Sequence, residues 1–184
     1  MQSIFKLRRF LEPPPQKCEL CGAAVESTHQ HIVDVENRRL MCTCRPCYLL
    51  FQHHGSAGGK LRSVSDRFLN LPPIEIPGEE IPVSVVFFIR DSVTSRVTAF
   101  YPSPAGATEA AIAQETWKEM LEKTPALATL EPDIEALLVC KHESWILPVD
   151  ACYELVGRIK RSWRGAESQR EIGDFFENLR GTAA

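Results

Sequence analysis

Five cysteines lie within about thirty residues of one another, and their spacing is typical of a metal site. They are Cys18, Cys21, Cys42, Cys44 and Cys47. Two residues separate Cys18 from Cys21 and Cys44 from Cys47, so both sulfurs of each pair can reach one ion across a tight turn. Gly22 follows the first pair and tolerates the positive φ that such a turn often needs. Because zinc takes four ligands, the two pairs are predicted to form one tetrahedral site.

The segment between the two cysteine pairs predicts a β-hairpin. Its candidate arms are residues 28–35 and 38–44, joined by a turn of Glu36 and Asn37 or of residues 36–38. The residues after the second pair, 48–54, can continue as a helical turn. A knuckle, a hairpin, a second knuckle and a short helix together are typical of zinc-ribbon or treble-clef modules.

Two histidines and a fifth cysteine are predicted to lie on one face of this hairpin, beside the metal site. Side chains alternate along a strand, so the predicted register sets His31 opposite Cys42 and His29 opposite Cys44. Three interpretations of these additional groups are open. The histidines donate hydrogen bonds to the thiolates, or replace one cysteine as ligand, or form a second metal or redox site with Cys42.

Zinc is the favoured ion of the predicted four-cysteine site, and iron is the alternative. Paired C-x-x-C knuckles also hold iron in rubredoxins, where aromatic residues surround the thiolates, and such a site would make the protein an electron carrier. Here Tyr48 and Phe51 are the aromatic residues near the knuckles. Ligand softness does not separate the two ions, because thiolates bind both.

The composition predicts a two-part α+β protein. An N-terminal zinc-ribbon-like module, residues 1–70, begins with a short amphipathic helix that ends at Pro13, and residues 53–60 form a flexible loop. An α+β domain follows in residues 71–184, where a small antiparallel sheet packs with helices. It opens with a proline-punctuated linker, residues 71–82.

The second part shows alternating strand and helix patterns. Apolar, β-branched or aromatic runs predict four strands, at residues 83–90, 96–102, 134–140 and 144–148. Apolar residues at helical spacing predict three helices, at residues 107–123, at residues 149–163, and from a capping box at Ser168 and Glu171. Cys140 and Cys152 fall on apolar faces of these elements and are predicted to be buried packing residues.

Charge and cysteine usage bound the function. The net charge of −3 and the pI near 6.0 give no basic field, so a nucleic-acid partner is not favoured. No apolar run approaches a membrane span, and residues 1–15 lack the apolar core of a secretory signal. Seven cysteines without an export signal predict a cytoplasmic protein that uses its thiols for metal or redox work rather than for disulfides.

A nuclease interpretation is the weaker alternative. HNH endonucleases combine zinc knuckles with a general-base histidine, a central asparagine and a later metal-binding histidine. His29 or His31, Asn37 and His53 can be assigned these roles. Asn37 falls in the predicted turn, however, and residues 17–67 carry a net charge of only about +2, which is low for a DNA-cleaving surface.

Four stretches carry a resemblance to a known family. They are the array RRF…CELCG…HQH…CTCRPCYLLF, the segment YPSPAGATE, the stretch LEPDIEALLV, and the ending PVDACYELVGRIKRSWRG…EIGDFFENLR. Together they resemble an uncharacterised bacterial family of unknown function, whose genes tend to lie beside nickel–iron hydrogenase genes and maturation factors. The resemblance implies a non-enzymatic accessory role in hydrogenase assembly, metal handling or electron transfer, with hydrogenase subunits or maturation factors as protein partners. It assigns no catalytic residue.

Overall fold

A computed structural model describes residues 16–77, 85–163 and 166–182. The chain divides into two compact units, one ending at Ser63 and the other beginning at Val64, whereas the composition places the boundary near residue 70. Both units contain antiparallel sheet, and helices pack with it, so the predicted α+β class is confirmed. The helix predicted before Pro13 lies outside the described residues.

The first unit is a small three-stranded sheet with two short helical segments between its second and third strands. Its elements are β1 (Gln30–Asp34), β2 (Arg39–Thr43), α1 (Arg45–Leu50), a 3-10 turn (Ser56–Gly59) and β3 (Leu61–Ser63). The strand order is β2-β1-β3, and both pairings are antiparallel. The strand β3 was not predicted from the sequence, since its residues lie between the predicted loop, 53–60, and the predicted linker, 71–82.

The predicted hairpin register is confirmed. His31 pairs with Cys42 and Val33 pairs with Leu40 across β1 and β2. The turn is longer than predicted and spans residues 35–38, because the Asp34 side chain accepts hydrogen bonds from both the backbone and the side-chain amide of Asn37. These bonds hold the pKa of Asp34 below its usual value. Arg38 completes the turn with a φ of +50°.

The hydrophobic cluster of the first unit is small. Ile32, Met41 and Tyr48 are buried together, with Phe51 and Leu61 packed against them. These residues come from β1, β2, β3 and the helical segment, and they use the sheet face opposite to His31 and Cys42, as the alternation of strand side chains requires. The hairpin therefore packs one face against this cluster, and its other face carries His31 and Cys42 beside the buried Val33.

The second unit is a six-stranded antiparallel sheet in the order β4-β9-β8-β5-β6-β7. Its strands are β4 (Leu69–Leu71), β5 (Val85–Arg90), β6 (Val97–Ser103), β7 (Gly106–Ala111), β8 (Glu135–Cys140) and β9 (Glu143–Pro148). Its helices are α2 (Gln114–Lys123), a 3-10 segment (Pro125–Thr129), α3 (Val149–Arg161) and α4 (Ala166–Thr182).

The central strands of this sheet are buried on both faces, which explains why their sequences are continuously apolar. On one face, Phe87, Leu138 and Leu147 pack against residues of α3 and α4. On the other face, Phe88 and Leu137 pack against residues of α2 and the 3-10 segment. No helix in the described parts of the chain is both long and apolar enough to cross a membrane.

The prediction of one helix over residues 107–123 is partly wrong. Its first half forms β7, which pairs with β6 from Ser103↔Gly106 to Thr98↔Ala111, and only Gln114–Lys123 is helical. Gly106 has a φ of +126°, so the chain reverses direction there and the alanine-rich stretch joins the sheet despite its helical propensity. Tertiary pairing overrides the local preference.

The linker and the last helix also differ from expectation. Leu71 belongs to β4, and the Ile74 amide donates to the Ser144 hydroxyl, so part of the predicted linker is fixed to the sheet. The last helix begins at Ala166, which places Ser168 inside the helix rather than at its cap. The burial predicted for Cys140 and Cys152 is confirmed.

A buried carboxylate connects several segments of the second unit. The Glu135 side chain is only 2% exposed and accepts hydrogen bonds from Arg67, from the Ser65 hydroxyl and from the Glu131 amide. The Arg67 nitrogen lies 2.5 Å from the Glu135 carboxylate, so the buried negative charge has a direct cationic partner.

Replacing Arg67 with alanine is expected to destabilise the second unit by about 3–5 kcal/mol, because it leaves a buried carboxylate without its cation. Urea unfolding followed by tryptophan fluorescence measures this change. Arg180→Ala is the matched control, since Arg180 pairs with Glu143 at 2.6 Å but that carboxylate is 34% exposed. The control is expected to cost less than about 1 kcal/mol, and equal costs would contradict the prediction.

Candidate metal centre

The first cysteine pair lies in a tight knuckle. The Cys18 amide donates to the Ala23 carbonyl, and the Gly22 amide donates to the Cys18 carbonyl. Gly22 has a φ of +75°, as its position after the second cysteine predicts, and a short β-bridge between Lys17 and Ala24 closes the knuckle at its base. Cys18 is almost completely buried, whereas Cys21 is exposed.

The second cysteine pair lies at the start of α1. Cys44 is the N-cap residue, in an extended conformation, and Cys47 is the third residue of the helix. Pro46 occupies the first turn, where its fixed φ suits a helix and its missing N–H removes no intrahelical bond. The helical turn therefore sets the separation of the two sulfurs.

These two pairs converge on one point of the first unit. One sulfur from each of four residues lies within 4.8 Å of the others: Cys18, Cys21, Cys44 and Cys47, called the four-cysteine cluster below. The Cys21 and Cys44 sulfurs are 3.6 Å apart. Zinc–sulfur bonds of about 2.3 Å in a tetrahedron require sulfur separations of about 3.8 Å. The cluster therefore has the chemistry and the spacing to hold a metal ion.

The thiols of the cluster differ in acidity. Burial raises the pKa of Cys18, but backbone hydrogen bonds from Cys44, Cys21 and Leu20 outweigh it and lower the value to about 6. Burial and the neighbouring thiols raise the pKa of Cys47 to about 12. One thiolate is thus favoured by amide donors, and further ionisation requires a cation that neutralises the accumulated charge.

Glu19 connects the knuckle to the hairpin, which sequence reasoning missed. Its amide donates to the Cys42 carbonyl at 2.9 Å, and its carboxylate accepts from the Cys42 amide at 2.8 Å. The other carboxylate oxygen accepts from Arg39 at 2.6 Å. No sequence signal could have assigned this role, because the two positions inside a knuckle carry no ligand and their partners depend on the hairpin register.

The additional groups predicted on the hairpin are also brought together. One ligand atom each from His29, His31 and Cys42, called the His–Cys cluster below, lies within 4.8 Å of the others. The two imidazole rings are 4.7 Å apart and inclined by 52°. Burial, with a smaller effect from the Glu19 charge, raises the pKa of the Cys42 thiol.

Asn37 and His53, which the nuclease interpretation needs beside the histidines of the hairpin, do not belong to either cluster of potential metal ligands found among the described residues. Asn37 uses its side-chain amide within the hairpin turn, where it donates to Asp34. His53 is exposed. The neighbouring His54 lies 3.1 Å from Arg62 through its Nδ1 atom.

Comparison with known proteins gives one family match. The model of a family described as "Family of unknown function (DUF5947)" matches residues 17–183, which includes both clusters and all but the last residue of the second unit. No curated protein and no solved structure matches the chain.

Replacing Glu19 with alanine is expected to weaken metal binding by about 10–100-fold, the usual effect of removing a group that orients metal ligands. The carboxylate no longer holds the knuckle against the hairpin, although all cysteines remain. Competition with a chromophoric chelator measures the affinity. Glu36→Ala is the control, because Glu36 forms an exposed ion pair with Lys60 on the same unit. Unchanged affinity in the Glu19 variant would show that the knuckle needs no such support.

Proposed function

The chain belongs to the family of unknown function DUF5947, and we propose that it is a metal-binding accessory protein that holds one zinc ion in its four-cysteine cluster. The observation that carries this proposal is the convergence of four sulfurs within 4.8 Å of one another. Four protein ligands complete the coordination of zinc and leave no position for substrate. The proposed role of this ion is therefore structural, and the protein is proposed to act by binding rather than by catalysis.

The local structure supports zinc over iron. The first pair lies in a knuckle, a hairpin follows, and the second pair lies in the first turn of a helix. This order is typical of treble-clef zinc modules, whereas rubredoxins hold iron between two knuckles. A four-thiolate site also favours a reducing compartment, which supports a cytoplasmic location.

The segments that hold the cysteines also expose apolar side chains. Leu20 lies between the two knuckle cysteines and is 39% exposed, while Leu49 and Leu50 follow Cys47 on α1 and are 45% and 66% exposed. A metal ion that fixes the knuckle and α1 would also fix these leucines. Apolar residues presented on a rigid element are suited to protein docking.

The proposed partners are subunits or maturation factors of a nickel–iron hydrogenase. The family resemblance described from the sequence supports this choice, and the exposed leucines supply the surface through which such a protein would be bound. In this role the zinc ion holds the docking surface in shape during hydrogenase assembly.

Protein purified without oxygen is expected to be colourless and to contain one tightly held zinc per chain. Cys44→Ser is expected to lose this zinc, because a hydroxyl replaces one of four thiolates. Cys140→Ser is the matched control, since Cys140 lies on β8 outside the cluster. Elemental analysis and an absorption spectrum are the measurements. Iron with strong visible absorbance would instead support the rubredoxin-like electron carrier.

Affinity-tagged protein expressed in a hydrogenase-producing bacterium is expected to copurify with hydrogenase subunits or maturation factors. A Leu49→Ser, Leu50→Ser variant is expected to lose the partner and to keep its zinc, because the substitutions remove apolar contact area and no ligand. Val93→Ser is the control, as Val93 is 72% exposed on the second unit. Unchanged hydrogenase activity in a strain that lacks the gene would overturn the proposed partner.

A further inference from the structure

We infer that the His–Cys cluster, His29, His31 and Cys42, is a second metal site that binds a divalent transition-metal ion through two imidazoles and one thiolate. Its three ligands are separate from the four-cysteine cluster, so the inference does not rest on the proposed function. With three protein ligands, the site leaves a coordination position open.

The hairpin backbone places these ligands. His31 and Cys42 are directly opposite each other in the β1–β2 pairing, and His29 precedes His31 by two residues. Side chains two residues apart project from the same side of an extended chain. The three groups therefore lie on the hairpin face opposite to the cluster of Ile32, Met41 and Tyr48.

The orientation of His29 is the observation that points to an ion. Its Nδ1 atom lies 2.8 Å from the Glu26 carbonyl oxygen, which can only accept, so Nδ1 carries the proton. In this tautomer the Nε2 atom carries a lone pair. This atom is buried and makes no hydrogen bond. Histidines that bind metals commonly donate their other N–H to a backbone carbonyl in this way.

An unpartnered buried lone pair is unfavourable, and a bound cation removes this cost. His29 Nε2 also makes no hydrogen bond to a thiolate of the four-cysteine cluster, so the structure does not support the interpretation of His29 as a donor to that cluster.

The distances require only a small adjustment. Metal–nitrogen bonds of about 2.0–2.1 Å and metal–sulfur bonds of about 2.3 Å set ligand separations of about 3.3–3.8 Å in a tetrahedron. The ligand atoms of the His–Cys cluster now lie within 4.8 Å of one another, the same limit that the four-cysteine cluster meets. Because all three residues are only partly buried, small rotations of their side chains can close the set.

The ligand set determines which ions fit. Imidazole and thiolate together favour zinc, cobalt, nickel and copper over magnesium and calcium, which prefer oxygen. The open position accepts water or a ligand from another molecule, so the ion is expected to exchange more readily than one enclosed by four thiolates. The chain thus combines a closed site with an exchangeable one. Cys42 of the His–Cys cluster and Cys44 of the four-cysteine cluster are two residues apart, which is about 7 Å of extended backbone.

Cobalt(II) titration of the reduced, metal-free protein tests the inference, because cobalt spectra distinguish the ligands. Two equivalents are expected to bind, the first with intense thiolate-to-cobalt absorbance and the second with weaker bands of a mixed nitrogen–sulfur site. His29→Ala and Cys42→Ser are each expected to weaken the second equivalent by more than about 100-fold, since even groups that only orient ligands contribute 10–100-fold. The first equivalent is expected to persist in both variants.

His53→Ala is the matched control, because His53 is an exposed histidine of the same unit. The His53→Ala variant is expected to bind both equivalents of cobalt. In the wild-type protein, the ¹⁵N resonance of His29 Nε2 is expected to shift when zinc occupies the second site. Binding of a single equivalent, an unaltered second equivalent in both cluster variants, or its loss in His53→Ala would overturn the inference. Loss of the intense first phase alone would instead contradict the four-cysteine site.

Discussion

The first unit depends on the meeting of two sulfur pairs that are far apart in the sequence. Its apolar cluster is built on three buried residues, and burying each large side chain stabilises a fold by about 1.5–3 kcal/mol. A structural zinc ion in small zinc-binding peptides contributes about 10–16 kcal/mol to folding. The proposed ion would therefore stabilise this unit by more than the three buried side chains of its apolar cluster do.

The two faces of the hairpin carry different sets of side chains. The face with Ile32 and Met41 packs against Tyr48, and the opposite face carries His31 and Cys42 beside the buried Val33. Glu19 then ties the knuckle to the same strand through the amide and carbonyl of Cys42. A single strand, β2, is thus in contact with the knuckle and with the hydrophobic cluster, and it carries a ligand of the His–Cys cluster. The pairing of β1 with β2 sets the position of His31 relative to Cys42.

Much of this arrangement was predictable, because it depends on local spacing and on side-chain alternation. The C-x-x-C pairs, the hairpin and the opposition of His31 and Cys42 follow from the period of a strand and the geometry of a turn. The role of Glu19 was not predictable, since it arises from a hydrogen bond across 23 residues. Residues 107–113 were assigned to a helix because apolar residues at helical spacing continue from Ile112 into the helix that follows, and only the pairing with β6 reveals a strand. The tautomer of His29 likewise depends on a backbone carbonyl that the sequence does not place.

The ends of the six-stranded sheet differ from its centre in a way that bears on solubility. Edge strands expose unpaired backbone groups that can recruit another chain into an aggregate. Among the described residues, one edge is β4, which has only three residues and stops at Pro72 and Pro73, where no further strand can form. The other edge is β7, whose alanines and exposed Glu109 give a poor template for intermolecular pairing. The apolar strands between them are thereby protected from edge-to-edge association, even though their composition alone would favour fibril formation.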